Sequence, residues 1–296
     1  MMHEPIYFPN LGIEVRELPD AFEGTFFGIT LAFRFRAFFM AAAILIVVLS
    51  VLWIARKRKE EGINYLSLLI WSVPVGLLSG RVVHILLHLG AYLEKPLQML
   101  VLSDGGYAFS GVLCGSVLCV LLRARAMKEN AWKFLDAAAP GTALGLAIYS
   151  LADFFERTGI GRYTRRLFAI RYSIEEIPTE LITEQMKLAA QKGKYIGFVQ
   201  GHPLFLYRFA MAFLLALFLF ILERRSARHD RCSHGFRWFL AGWSAIELAS
   251  LWVAAAPLCI PGTVIPIAAI FYGILCCIAV ISIIGHLIYH LVTTGR

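Results

Sequence analysis

The chain has 296 residues, of which 59% are hydrophobic and 16% charged, and its mean hydropathy is +0.69. That balance excludes an ordinary soluble domain, because so many long apolar runs leave too little polar surface. The formal charge of +8 does not point to nucleic acid, since Lys and Arg fall at the ends of apolar runs and in loops, as they do beside a membrane surface.

Met1 to Phe22 lacks the basic, apolar and small-residue order of a cleavable signal peptide. Its prolines and short alternating stretches such as Ile6-Tyr7-Phe8 predict a strand-like outer cap over 1–24. Runs matched to a hydrocarbon core of ~30 Å follow near 37–55, 64–90, 108–122, 134–155, 203–222, 236–256 and 264–291. They predict an all-α integral membrane protein of seven transmembrane helices, one polytopic domain over 1–296 with a small periplasmic head or arm at 156–202. Within that arm, Pro178 to Lys192 reads as one amphipathic helix, with Ile182, Met186 and Ala189 at helical spacing.

The basic clusters Arg56 to Lys59, Arg123 to Lys133 and Arg224 to Arg237 follow the first, third and fifth runs, which the positive-inside rule places in the cytoplasm. The N-terminus is then periplasmic and the C-terminus cytoplasmic. The six cysteines form no CxxC pattern and read as small buried hydrophobes.

Polar groups inside apolar runs carry the functional signal. Arg81 lies well inside the second run, and an intramembrane cation faces a bundle interior or a wet cavity, held by an anionic partner. Gly105, Gly106 and Gly111 open the third run, where exposed N–H groups at a helix N-terminus favour an anion; the other reading is helix packing through small residues, continued by Gly115 and Ser116. The fourth run ends on Ser150, Asp153, Glu156 and Arg157, with Asp153 and Arg157 at i,i+4 spacing. Arg162, beyond two glycines, is freer to meet a ligand. His202-Pro203 starts the fifth run, with Tyr207 and Arg208 about one turn deeper. Glu247 is the clearest intramembrane carboxylate, an ion-pair partner for Arg81 or Arg208. The pairs His84/His88 and His286/His290 have spacing that can hold a metal or haem, but they lie nearly a membrane thickness apart, and no metal or other cofactor is implied.

In order, these segments resemble the bacterial prolipoprotein diacylglyceryl transferase family. Thr25-Phe-Phe-Gly-Ile is similar to the opening of its first span, and Gly80-Arg81-Val-Val-His-Ile to its second-span glycine-arginine pattern. Asp104 to Gly111 resembles the family's GGxSFHGG signature, Phe134 to Pro140 the approach to its GRIGNFxNGE box, and His202 to Tyr207 its HPxQLYE motif. The departures fall on reactive positions: Ser110 stands for the signature histidine, and Ser150, Asp153 and Thr158 for the box's arginine, asparagine and glutamate, with Glu247 at a sixth-span arginine.

The resemblance implies a bacterial inner-membrane enzyme that passes diacylglyceryl from phosphatidylglycerol to the lipobox cysteine thiol of a prolipoprotein, releasing glycerol 1-phosphate. Its partners are phosphatidylglycerol or another anionic phospholipid and the prolipoprotein signal peptide. His202, Asp153 and Tyr207 are the expected catalytic residues; Arg81, Arg162, Gly105, Gly106 and Gly111 the expected lipid-phosphate contacts. Losing several transition-state donors, each worth ~10²–10³ in rate, implies weak or altered activity. The alternatives are an inactive relative that binds phospholipid or lipoprotein precursors, and a membrane subunit whose charged pairs only hold helices together.

Overall fold

A computed structural model describes residues 6–15, 21–26, 29–59, 62–94, 96–99, 106–166, 168–177, 182–192, 196–226, 234–255, 257–259 and 265–294. Cys232, Gly105 and the prolines at 5, 19 and 178 lie outside them. Strands β1 (Ile6–Phe8), β2 (Ile13–Val15), β3 (Ala21–Phe26) and β4 (Ile29–Arg34) come first. Helices α1 (Phe35–Lys57), α2 (Gly62–Leu87), α3 (Leu89–Glu94), α4 (Phe109–Met127), α5 (Ala131–Ser150) and α6 (Ala152–Phe155) follow. After them come β5 (Ile160–Tyr163), β6 (Ile170–Ser173), α7 (Glu184–Lys192), β7 (Phe198–Pro203), α8 (Leu204–Ser226), α9 (Gly235–Val253) and α10 (Ile267–Thr294).

Among the described residues six segments are long and apolar enough to cross a membrane: Phe35–Lys57, Asn64–Leu87, Phe109–Met127, Ala131–Phe155, Leu204–Arg225 and Ile267–His286. The protein is mostly helical and membrane-embedded. Helix α9 matches the remaining expected run but carries Arg237 and Glu247, and it falls outside that set.

The chain packs as two compact units, one of residues 1–42, 146–215 and 240–296, the other of 43–145 and 216–239. In the first, the all-α expectation is corrected. An antiparallel five-stranded sheet of order β2-β1-β6-β7-β5 joins the N-terminal cap to the 156–202 segment, through Tyr7 opposite Arg171. The physical reason is period-2 burial: Phe198–Pro203 alternates buried and half-buried residues, the pattern of a strand with one covered face. Ile6, Ile160, Ile170, Tyr172, Met186 and Val199 form the core of this layer. The Ile6-Tyr7-Phe8 strand is where the sequence puts it. Among the described residues the amphipathic helix runs from Glu184 to Lys192, with Thr183 Oγ1 accepting from the Met186 N–H at 3.4 Å at its start. The backbone of β3 and β4 forms a separate hairpin, from Ala21 opposite Arg34 to Phe26 opposite Ile29.

In the second unit, α2 and α4 meet through small residues. A Cβ on Gly111 would lie 2.6 Å from the Ser79 carbonyl oxygen, and one on Gly80 would meet Val112. Ser116 Oγ donates to the Ser72 carbonyl at 3.1 Å. Such close approach is how helices associate where lipid offers no hydrophobic gain. Arg58 grips Glu223 through two bonds of 2.8 and 2.6 Å, and the Asp136 carboxylate caps the start of α9 at the Phe236 N–H, 2.9 Å away.

Candidate functional site

In the first unit, helix α5 ends at Ser150, whose hydroxyl returns to the Leu146 carbonyl at 2.8 Å. The one-turn α6 then projects Asp153 into a charged chain. Its carboxylate lies 3.8 Å from Arg36 Nη2 and 3.9 Å from Arg208 Nη1, and accepts from Thr158 Oγ1 at 3.3 Å. Arg36 also pairs closely with Glu156. Arg208 donates through Nη2 to Glu247 Oε2 at 3.0 Å and through Nε to Ser250 Oγ at 3.4 Å. Two arginines and three carboxylates thus share one network, the arrangement that makes partly buried charge tolerable.

The network selects between the sequence's alternatives. Glu247 takes Arg208 as partner, and Asp153 sits between Arg36 and Arg208. The helix stops at Phe155 and Arg157 takes φ +56°, so the regular geometry that i,i+4 pairing assumes ends before Arg157. Sequence reasoning placed Glu156 in the polar cluster that ends the fourth run but missed Arg36 as its partner. The available signal was a cation at the end of the first apolar run farthest from its basic 56–59 cluster.

A few residues away, β7 leads directly into α8. Leu204 N–H donates to the Gly159 carbonyl at 2.9 Å, which fixes the corner. His202 on β7 is half-buried, with Nδ1 3.2 Å from Tyr207 Oη on the first turn of α8. Burial, aided by the Arg166 charge, holds the His202 pKa below its usual 6.5. The imidazole is therefore neutral near pH 7, free to accept a proton. Arg162 is exposed, and its Nε donates to the Ala254 carbonyl at 3.2 Å. Gly161 lies against Val253, where an added Cβ would come within 2.6 Å of the carbonyl oxygen.

In the second unit, Arg81 is 4% exposed. It donates from Nη2 to the Gln98 carbonyl at 2.8 Å, from Nη1 to Gly106 at 3.2 Å and from Nε to Met99 at 3.5 Å, and stacks over Tyr92 with 5.5 Å to the ring centre. Its cation thus gathers the backbone leading into α4. Gly106 turns there at φ +75°, with room only for hydrogen: a Cβ would lie 2.6 Å from His84 Nε2 and 2.9 Å from Arg81 Nη1. The rings of His84 and His88 lie 4.3 Å apart, tilted by 30°. Gly111 N–H bonds the Ala108 carbonyl at 3.0 Å within the first turn, and the residue faces α2. Small-residue packing, the alternative reading for this stretch, describes Gly111 and Gly115.

The model of the prolipoprotein diacylglyceryl transferase family matches residues 25–249. The chain is 27% identical over 205 residues to the phosphatidylglycerol–prolipoprotein diacylglyceryl transferase of Bacillus cytotoxicus, covering 68% of this chain and 72% of that protein. It is 27% identical over 209 residues to the enzyme of that name from Listeria monocytogenes serotype 4a, covering 70% and 71%. With the one from Nostoc sp. it shares 28% over 223 residues, covering 74% and 73%. With a match that runs through most of the helices and through both polar centres, this chain belongs to the prolipoprotein diacylglyceryl transferase family.

Proposed function

We propose that the protein transfers diacylglyceryl from phosphatidylglycerol to the lipobox cysteine of a prolipoprotein in the bacterial inner membrane. The observation that carries this reading is a neutral His202, hydrogen-bonded to Tyr207 at the start of an apolar helix. In the reaction the cysteine sulfur bonds the glyceryl carbon that bears the phosphate, the carbon–oxygen bond breaks, and glycerol 1-phosphate leaves with the electron pair. His202 takes the thiol proton and Tyr207 orients the ring. Of the two candidate proton acceptors, Asp153 is the less available, because its carboxylate already lies between Arg36 and Arg208. Its role is to hold Arg36 and Arg208 in place.

Arg162 is a candidate phosphate contact in the first unit. In the second, Arg81 with Gly106 is a separate candidate anion subsite, its guanidinium preorganised by backbone carbonyls. Helix α9 serves as a seventh span, its Glu247 compensated by Arg208. An odd number of spans accords with the basic clusters and leaves the N-terminus periplasmic, the C-terminus cytoplasmic, with the 156–202 segment a periplasmic head. Complementation tests the reading: expression in a strain depleted of its own transferase restores growth and lipoprotein processing, whereas His202→Asn does not. Failure of the wild-type chain to restore either would contradict it.

A further inference from the structure

Strand β7 lies between β6 and β5, so the connection from Tyr163 to Ile170 crosses over β7. Its level is fixed, since Tyr163 and Ile170 both lie opposite Gly201, the residue before His202. Bonds brace the crossing. Thr164 N–H reaches the Gln200 carbonyl at 3.4 Å, Ala169 N–H closes a turn on the Arg166 carbonyl at 2.9 Å, and Asn10 Nδ2 donates to the Arg165 and Arg166 carbonyls at 3.2 and 2.6 Å.

The arginines near this end of the sheet are differently engaged. Arg36 and Arg208 are held by carboxylates, Arg162 donates to Ala254, and Arg165 donates to Tyr163 Oη at 2.8 Å and lies over its ring. Arg166 is exposed, and among the described residues no carboxylate pairs with it. Its charge helps to lower the His202 pKa. An exposed cation on a crossover at the level of Gly201, its own backbone carbonyl held by Asn10, is an arrangement that receives an anion with little reorganisation.

We propose that Arg166, carried over the Gly201-His202 end of β7 and held there by Asn10, binds the phosphodiester of an anionic lipid beside His202. The proposal rests on the transferase reading for its reaction, but phosphate recognition is measurable without turnover. Binding of short-chain phosphatidylglycerol, short-chain phosphatidylcholine and glycerol 1-phosphate to the detergent-solubilised full chain is compared in wild type, Arg166→Gln, Arg166→Lys and Arg165→Gln. Arg166→Gln weakens binding of phosphatidylglycerol by about tenfold to a hundredfold, the worth of a charge-assisted hydrogen bond, and raises KM far more than it lowers kcat. Arg166→Lys recovers most of the loss, and Arg165→Gln leaves affinity unchanged. Parallel loss of glycerol 1-phosphate binding locates recognition in the phosphate; retention of that binding locates it in the intact lipid.

Wild-type affinity in Arg166→Gln, or equal loss in Arg165→Gln, overturns the proposal, even if the protein lipidates peptides. Arg166-dependent binding with no lipidation by the wild type leaves this site standing and overturns the transferase reading instead.

Discussion

Arg208 on α8 and Glu247 on α9 face one another at 3.0 Å, Nη2 to Oε2, with Asp153 at the far side of the same guanidinium. Both sit in apolar helices, where a lone charge is costly; together they form a pair.

Reversal of single charges tests this directly. Arg208→Glu or Glu247→Arg costs about 3 kcal/mol of unfolding free energy in detergent, the lower end of the range for a buried pair broken on one side. The double reversal recovers most of that loss. Additive destabilisation in the double variant shows that the pair is not coupled.

His202 predicts a pH dependence with a definite sign. Its pKa in the folded chain lies below 6.5, so the base is fully competent at neutral pH, and kcat/KM falls as pH drops through the lowered value. The same depression costs stability in acid: the unfolded chain protonates His202 first, so its contribution declines as pH falls from 6.5 toward the folded pKa. His202→Asn lowers kcat by ~10²–10⁴ and removes that acid limb. An acid limb of kcat/KM that persists unchanged in His202→Asn excludes His202 as the base.

Arg81 donates to three carbonyls from one planar fork, a geometry that an ammonium does not reproduce. Arg81→Lys keeps the charge yet leaves carbonyls unsatisfied, at ~1–3 kcal/mol for each buried group. Limited proteolysis across 95–106 accelerates in Arg81→Lys and more so in Arg81→Ala. Equal protection of all three proteins means that the carbonyl contacts do not hold this segment.

Gly111→Ala places a Cβ against the Ser79 backbone, where no flexible neighbour can yield. Overpacking of this kind costs about 1–3 kcal/mol. The thermal midpoint falls, and the Ser79→Gly change, which leaves that carbonyl in place, does not rescue it. An unchanged midpoint contradicts the close α2–α4 approach.

The helices were legible because each apolar run is long, bounded by charge and matched to a hydrocarbon thickness. The sheet was not. Its strands are three to six residues long and pair at long range, Tyr7 with Arg171 for instance, which no local pattern encodes. Alternation at Ile6 to Phe8 was visible, whereas 198–203 contains a glycine and a proline that read as turn and helix start. At the site, Arg208 and Glu247 announced themselves as charges inside apolar runs, but spacing could not choose between Arg81 and Arg208 as partner. Arg36 and Arg166 escaped notice because one borders a span and the other sits on a polar turn, where an arginine is ordinary until the fold sets Arg36 beside Asp153 and carries the Arg166 segment across the Gly201 level of β7.

The most direct test of the account incubates the purified protein with phosphatidylglycerol and a fluorescent lipobox peptide, reading peptide mobility and glycerol 1-phosphate together. The account predicts a thioether-linked diacylglyceryl peptide formed in equal amount with glycerol 1-phosphate, abolished by His202→Asn and by a Cys→Ser peptide. Bound phosphatidylglycerol with neither product formed would contradict it.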